Sequence, residues 1–185
     1  MRFEFRQLGD VFSTRERGAK VRADIAEALR EIDQDEPLLL DFEGVQLISF
    51  SFADEVVGRF VQDRAAGELG ERAIVVLNAS DEIVHPVRSS MERRKLIVAH
   101  ATSRGVELVG AAEHVQATFE AAQRKGEFRT PELAAELGIS IPALNNRLKP
   151  LLAAGVLARQ PAIPRAGGRE YAYRTALPSL EQIAA

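Results

Sequence analysis

The chain has 185 residues, of which 46% are hydrophobic and 28% are charged, a composition that excludes a disordered chain. It contains no cysteine, so disulfides and thiolate metal ligands are excluded as well. Residues 1–110 carry a net charge of −5, whereas residues 111–185 carry a net charge of +2. Together with the length, this change predicts two domains, residues 1–110 and 111–185.

Strands and helices alternate along the first 110 residues. The predicted strands are "RFEF", "PLLLDF", "RAIVVLN" and "GVELV", and helices are predicted to begin at Ser13 or Thr14, near Phe52 and at Ser80. The last of these helices is predicted to continue through "VRSSMERRKLIVAH", residues 87–100. This order predicts an α/β sandwich in which helices pack on a mostly parallel sheet.

The segment "LLLDFEGVQLISFSFADEVVG", residues 38–58, resembles the signature of STAS domains, the family of anti-sigma-factor antagonists. It is closest to the STAS-like branch that carries "SFADE". Asp41, Gly44, Val45 and Ile48 match the strand and loop positions of the family. The resemblance covers about residues 1–110 and implies a STAS-like fold there. It also implies a histidine-kinase-like ATPase as a partner.

Ser51 falls where the anti-sigma antagonists are phosphorylated, so the resemblance implies a phospho-switch at this residue. Ser49, Phe50 and Phe52 stand where the family has aspartate, serine and glycine. Residue types alone favour a second interpretation. A serine at a helix start caps the helix, which is worth about 1 kcal/mol, while the two phenylalanines fill the core. Both interpretations stay open at this point.

The second half begins with two predicted helices. "EHVQATFEAAQRKG", residues 113–126, has the apolar spacing of a helix that ends at its glycine. A short helix follows, for which Thr130 is the predicted N-cap, Pro131 lies in the first turn and Gly138 marks the end.

A longer helix and a β-hairpin complete the predicted elements. Ser140 is the predicted N-cap of the helix, and Gly155 the residue that stops it. Its buried stripe is formed by Leu144, Leu148, Leu151 and Leu152. "VLARQ" and "REYAYR" predict the two strands of the hairpin, with Tyr171 and Tyr173 packing it onto the helices.

The order helix, short helix, turn, helix and hairpin resembles the winged helix-turn-helix of bacterial regulators, over about residues 111–176. Residues 140–175 contain six basic residues and one acidic residue. Asparagine bonds adenine and arginine bonds guanine in the major groove, and basic wing residues reach phosphates. The predicted DNA-binding residues are Ser140, Asn145, Asn146, Arg147, Lys149, Arg165 and Arg169. The alternative is a solvated helix face.

Several kinds of site are not expected. The histidines His85, His100 and His114 lack the spacing of metal ligands, so no metal site and no cofactor are predicted. No phosphate loop, nucleophile elbow or zinc-protease motif occurs, so we do not expect an enzyme. The first ten residues lack the apolar core of a signal peptide, which favours a cytoplasmic protein without membrane contact.

The fold class predicted from these observations is an α/β STAS-like sandwich followed by a small α+β winged helix-turn-helix domain. The predicted function is that of a DNA-binding transcriptional regulator, whose first domain senses a signal or binds a partner. A homodimer on double-stranded DNA is expected, because dimers match two half-sites. The alternative is an anti-sigma-antagonist-like adaptor, which binds an ATPase and uses its winged domain for protein contacts.

Overall fold

A five-stranded mixed sheet forms the centre of the molecule in the computed structural model, which describes residues 1–162 and 170–177. The strands run in the order β1-β3-β5-β6-β7, all neighbouring pairs being parallel except the antiparallel pair of β6 and β7. Their bounds are Arg2–Glu4 for β1, Leu38–Asp41 for β3, Ile74–Leu77 for β5, Val98–Thr102 for β6 and Gly105–Val109 for β7. A small parallel pair, β2 (Val11–Phe12) with β4 (Leu47–Ile48), lies beside it.

The first face of the sheet carries the helices of the N-terminal half. These are α1 (Arg15–Ala28), α2 (Phe50–Ala53), a π-helical segment (Asp54–Gly58), α3 (Arg59–Ala65) and α4 (Asp81–Arg94). They enclose a cluster of aromatic rings in which Phe5 stacks on Phe42 with centroids 4.3 Å apart, while Phe12 and Phe52 pack around them. The predicted α/β sandwich is therefore present in this half.

The second face of the same sheet is covered by elements of the C-terminal half. These are α5 (Glu113–Lys125), α6 (Thr130–Leu137), α7 (Ile141–Ala153) and a three-stranded antiparallel sheet in the order β8-β10-β9. Its strands are β8 (Phe128–Arg129), β9 (Leu157–Ala162) and β10 (Glu170–Thr175). One hydrophobic cluster joins Val75 and Ala99 of the central sheet with Phe119 of α5 and Leu148 of α7. The two halves thus share a core, and their division into domains at residue 110 stays a prediction.

The central strands are buried on both faces, as the run "PLLL" predicted. Side chains alternate along a strand, so neighbouring residues reach opposite faces. Accordingly, Leu38 and Leu40 belong to the cluster on the first face, and Leu39 belongs to the cluster on the second face. The same alternation places Val76 on the first face and Val75 on the second.

The predicted helix through residues 87–100 is wrong in its last part. Helix α4 ends at Arg94, because Lys95 takes the left-handed conformation with φ 55° and breaks the helical hydrogen bonding. The apolar residues that follow form β6, which is buried on both faces of the sheet. A short apolar run fits a buried strand and a buried helix equally well, so periodicity alone did not separate them. The two-residue strands β2, β4 and β8 gave no pattern to predict.

Three of the predicted helix caps agree with the structure, and one predicted cap differs from it. Thr14, Ser80 and Ser140 are the N-caps of α1, α4 and α7, as predicted. The prediction of Thr130 as a cap is wrong by one residue, since α6 begins at Thr130 and its N-cap is Arg129. The Glu132 carboxylate reaches back to accept from the backbone N–H of Arg129 at 2.9 Å, which fixes the start there.

Candidate functional site

Helix α7 presents a polar row to the solvent and an apolar stripe to the core. Leu144, Leu148 and Leu151 are buried, as predicted, and Leu152 is half-buried. Asn145, Asn146 and Lys149 are exposed and constitute what we call the exposed α7 row. Within the row, Lys149 Nζ lies 3.4 Å from Asn146 Oδ1. No carboxylate is paired with these three residues in the part of the chain that the structure describes.

Two further predicted residues lie close to this row. The Ser140 hydroxyl accepts from the backbone N–H of Ala143 at 3.3 Å, so it stabilises the start of α7. Arg147 is half-buried and its Nη1 donates to Thr118 Oγ1 of α5 at 3.5 Å. The expectation that its guanidinium shares the outward face of the asparagines is therefore wrong, because the side chain leans against α5.

The hairpin adds basic residues that the sequence analysis did not single out. Arg159 of β9 and Arg174 of β10 are exposed, and the Arg159 guanidinium lies 4.9 Å from the centre of the Tyr171 ring. Tyr173 is buried and stacks on Phe128 with centroids 5.5 Å apart, which confirms its predicted packing role. The alternation of apolar and polar residues in "LARQ" and "YAYR" is the sequence signal that could have predicted these two exposed arginines. The predicted wing residues Arg165 and Arg169 lie outside the described residues.

The start of α2 assigns different roles to the two serines of "SFSF". Ser49 is the N-cap, and its hydroxyl accepts from the backbone N–H of Phe52 at 3.1 Å. Ser51 lies in the first turn and is half-buried. We predicted a helix that begins near Phe52, but α2 begins two residues earlier, at Phe50. The preceding residues "LI" form β4, and the helix follows directly after its cap, Ser49.

Replacing Ser49 with alanine is expected to cost about 1 kcal/mol of unfolding free energy, because the first turn of α2 loses its cap. Ser51→Ala is expected to change the free energy by less than about 0.5 kcal/mol. Urea unfolding of the two variants measures both values. A larger loss in Ser51→Ala would contradict the assignment of Ser49 as the cap.

The π-helical segment buries two adjacent carboxylates, Asp54 and Glu55, each of which is 4% exposed. Glu55 accepts from Arg15 at 2.9 Å and from Arg22 and Arg59 at 3.3 Å each. Asp54 accepts from Arg94 Nε at 2.8 Å, from Ser90 at 3.0 Å and from Arg15 at 3.4 Å. We call these two acids and their four arginines the carboxylate cluster.

Two opposing effects set the charge of Asp54. Burial alone raises the pKa of its carboxyl, but hydrogen bonds from Arg94 and Ser90 and the charge of Arg94 lower it more, with a further contribution from Arg15. The net result is a pKa below the ordinary value of 3.8, so Asp54 is a carboxylate at neutral pH. The cluster therefore ties α1, the π-helical segment and α4 together through ion pairs.

Glycines permit the close packing of this cluster. A Cβ at Gly58 would lie 2.6 Å from Ser90 Oγ and 2.7 Å from Arg94 Nε, and a Cβ at Gly18 would lie 3.1 Å from Cβ of Glu55. Helices α1 and α4 therefore approach the π-helical segment only because these positions have no side chain. Sequence reasoning missed the cluster. Its signal was the pair "DE" inside an apolar helix, since acids there are buried only with cationic partners.

Residues 17–84 match the family model of the STAS-like domain of unknown function (DUF4325). This segment is similar to that family. It contains most of α1, the "SFADE" motif with the carboxylate cluster's two acids, and strand β5. The predicted resemblance of the N-terminal half is thus confirmed over these residues, which make up less than half of the chain. No curated protein and no solved structure matches the chain.

The N-terminal half contains a buried histidine beyond the matched segment. His100 of β6 is 6% exposed, and its Nδ1 makes no hydrogen bond and lies 4.0 Å from Glu107 Oε2. Burial lowers the pKa of His100 below 6.5; the charges of Glu107 and Asp81 oppose this shift and the charge of Arg88 adds to it. Within residues 1–162 and 170–177, no group of three histidine or carboxylate side chains is arranged to hold a metal ion.

The lowered pKa of His100 predicts a loss of stability in mild acid. In the unfolded chain the imidazole takes up a proton near pH 6.5, whereas in the folded chain it stays neutral until a lower pH. The stabilising contribution is complete above about pH 6.5 and declines below it, by at most about 1.4 kcal/mol per pH unit. Urea midpoints of the wild type should fall over this range more steeply than those of His100→Gln. An equal dependence of the urea midpoint on pH in the two proteins would contradict the prediction.

Among the described residues, no helix combines the length and the hydrophobicity that a bilayer span requires.

Proposed function

We propose that the protein is a DNA-binding transcriptional regulator, in which a winged helix-turn-helix in the C-terminal half binds double-stranded DNA through α7. The observation that carries this proposal is the exposed α7 row. Asn145, Asn146 and Lys149 project from a helix whose opposite side is fixed in the core by three buried leucines. Two amides and an ammonium on one accessible helix face suit base edges and a phosphate in a major groove.

The order of the elements supports the same proposal. Helix α5, strand β8, helices α6 and α7 and the hairpin of β9 and β10 follow one another along the chain. Helices α6 and α7 are separated by a three-residue turn, in which Gly138 takes the left-handed conformation with φ 64°. A short turn with a glycine is typical of a helix-turn-helix. The three-stranded sheet would hold the wing beside α7.

The charge distribution supports an electrostatic contribution to DNA binding. Residues 140–175 contain six basic residues and one acidic residue in a chain whose net charge is −3. Positive charge is therefore concentrated in the stretch of sequence that carries the proposed interface, where it would attract phosphates and make affinity depend on salt. In this proposal the protein acts in the cytoplasm as a homodimer, whose two α7 helices bind DNA half-sites about 34 Å apart.

The STAS-like half is proposed to bind a protein partner and thereby to regulate the DNA-binding half. Ser51 lies at the start of α2, where a phosphate would add about −1.5 to −2 charges. The adaptor function, with a histidine-kinase-like ATPase as partner and the C-terminal half used for protein contacts, is the second candidate. The family match supports this second candidate, because the match lies wholly in the N-terminal half and includes no part of the proposed DNA-binding half.

Selection from a pool of random duplexes tests the proposal. The full chain is expected to enrich a defined sequence, and the double variant Asn145→Ala with Asn146→Ala is expected to lose about 1–3 kcal/mol of discrimination per lost base contact. Non-specific, salt-dependent binding should persist in that variant. Gln123→Ala, an exposed amide on α5, is the control and should select the same sequence as the wild type. Absence of enrichment by the wild type would favour the adaptor.

A further inference from the structure

A cleft of about 750 Å³ lies at the junction of the two halves, between the end of α3, the end of α7 and the base of the β9–β10 hairpin. We call it the junction cleft. Its charged lining consists of Arg64, Lys149, Arg159, Arg174, Asp35 and Glu71. Four positive and two negative charges make it locally cationic in a chain whose net charge is −3. We propose that the junction cleft binds a phosphate-bearing anion of the di- or oligophosphate class.

Arg64 is the buried member of this lining. It is 8% exposed, its Nη1 donates to the Ala153 carbonyl at 3.2 Å, and its Nε makes no hydrogen bond. Its nearest carboxylate oxygen belongs to Glu71, 3.6 Å from Nη2, and the Glu71 side chain is 81% exposed. A carboxylate so accessible to water is screened and compensates a buried guanidinium weakly. An anion in the cleft would supply the missing countercharge.

The other three cations have no carboxylate partner in the described part of the chain. Lys149 reaches only the amide oxygen of Asn146, Arg159 lies over the Tyr171 ring, and Arg174 is exposed on β10. Cations that line one concavity and outnumber its carboxylates concentrate positive potential there. Several guanidinium groups suit phosphate oxygens, which they bind through paired N–H donors. The cleft is also large enough for a small molecule with more than one phosphate.

The position of the cleft gives its occupant access to both halves. Arg64 belongs to α3, which continues the helical run that begins at Phe50, and it contacts the carbonyl of Ala153 in the last turn of α7. A Cβ at Gly155 would lie 2.6 Å from Arg64 Nε, so the two halves fit tightly at this point. A bound anion would thus touch the STAS-like half and the helix that carries the exposed α7 row. The phosphate has two conceivable sources, a free small molecule or the backbone of DNA.

Calorimetric titration of the full chain with inorganic pyrophosphate is the first test. One site per chain is expected, and Arg174→Gln is expected to weaken it at least about tenfold, which corresponds to the loss of a charge-assisted contact. Arg104→Gln, which removes an exposed arginine outside the cleft, should leave the affinity unchanged. Equal affinities of the wild type and Arg174→Gln, or no binding of pyrophosphate, would overturn the assignment of a free ligand.

A second titration separates the two sources. If the phosphate comes from DNA, a duplex should displace pyrophosphate, and Arg174→Gln should make the salt slope of DNA binding shallower by about 0.9. If the ligand is a free anion, Arg174→Gln should weaken pyrophosphate binding and leave the salt slope of DNA binding unchanged. The salt slope decides between the sources, because Lys149 belongs to both surfaces and produces competition in either case. The proposal is refuted if pyrophosphate does not bind and Arg174→Gln leaves the salt slope unchanged. The pyrophosphate arm needs no DNA, so a failure of the proposed DNA binding would not be mistaken for a failure of the cleft.

Discussion

Asp54→Ala is expected to lower the free energy of unfolding by about 3 kcal/mol, near the lower end of the cost of breaking a buried ion pair. The substitution leaves Arg94 without its ion-pair partner, and the hydroxyl of the fully buried Ser90 without an acceptor. The Arg94 side chain is 18% exposed and Arg15 retains Glu55, so solvent and the second acid moderate the loss. Urea unfolding followed by circular dichroism measures the change.

Asp63→Ala is the matched control for Asp54→Ala. Asp63 belongs to α3, a continuation of the same helical run, and the described residues contain no ion pair to its side chain. Its replacement should change the free energy of unfolding by less than about 0.5 kcal/mol. If the two variants were equally stable, the carboxylate cluster would have no role in holding α1 and α4 to the π-helical segment.

Phe119→Ala is expected to cost about 3–5 kcal/mol, the range for removing a buried aromatic ring. Phe119 is fully buried in the cluster that joins the central sheet with α5, α6 and α7. Because residues from both halves line this cluster, we expect the loss to affect both halves and thermal unfolding to remain a single transition. Differential scanning calorimetry measures the number of transitions and their midpoints.

Phe119→Leu is the corresponding control, since it keeps an apolar side chain of similar size. Its cost should lie below about 1.5 kcal/mol. Two transitions in Phe119→Ala, with the midpoint of only one lowered, would show that the core shared across residue 110 does not couple the halves.

Much of the fold was predictable because its signals are local. The buried strands β3 and β5 are short apolar runs bounded by turn residues, and both were predicted from that pattern. Strand β6 was missed because the mostly apolar residues 96–100 follow α4 closely and were predicted to be its last turns. Its separation depends on the left-handed backbone of Lys95, a residue type that seldom takes that conformation. Packing of the C-terminal half on the second face depends on contacts distant in sequence, for which no local pattern exists.

The candidate site was predictable to a lesser degree. The buried leucines and the exposed asparagines of α7 follow from helical spacing, which fixes the face of each residue. The position of the Arg147 guanidinium does not follow from helical spacing, because its long side chain can extend into solvent or bend towards the neighbouring α5, where it contacts Thr118. Similarly, the ion pairs of Asp54 and Glu55 join α1, the π-helical segment, α3 and α4, whose proximity only the tertiary structure supplies.

The most direct test of the central claim is the salt dependence of the affinity of the full chain for a selected duplex. We expect log K to fall linearly with log salt concentration, and Lys149→Ala to make that slope shallower by about 0.9, as the loss of one phosphate contact requires. Gln123→Ala should keep the wild-type slope. No measurable affinity at low salt, or an affinity that neither salt nor Lys149→Ala alters, would contradict the proposal that α7 binds DNA.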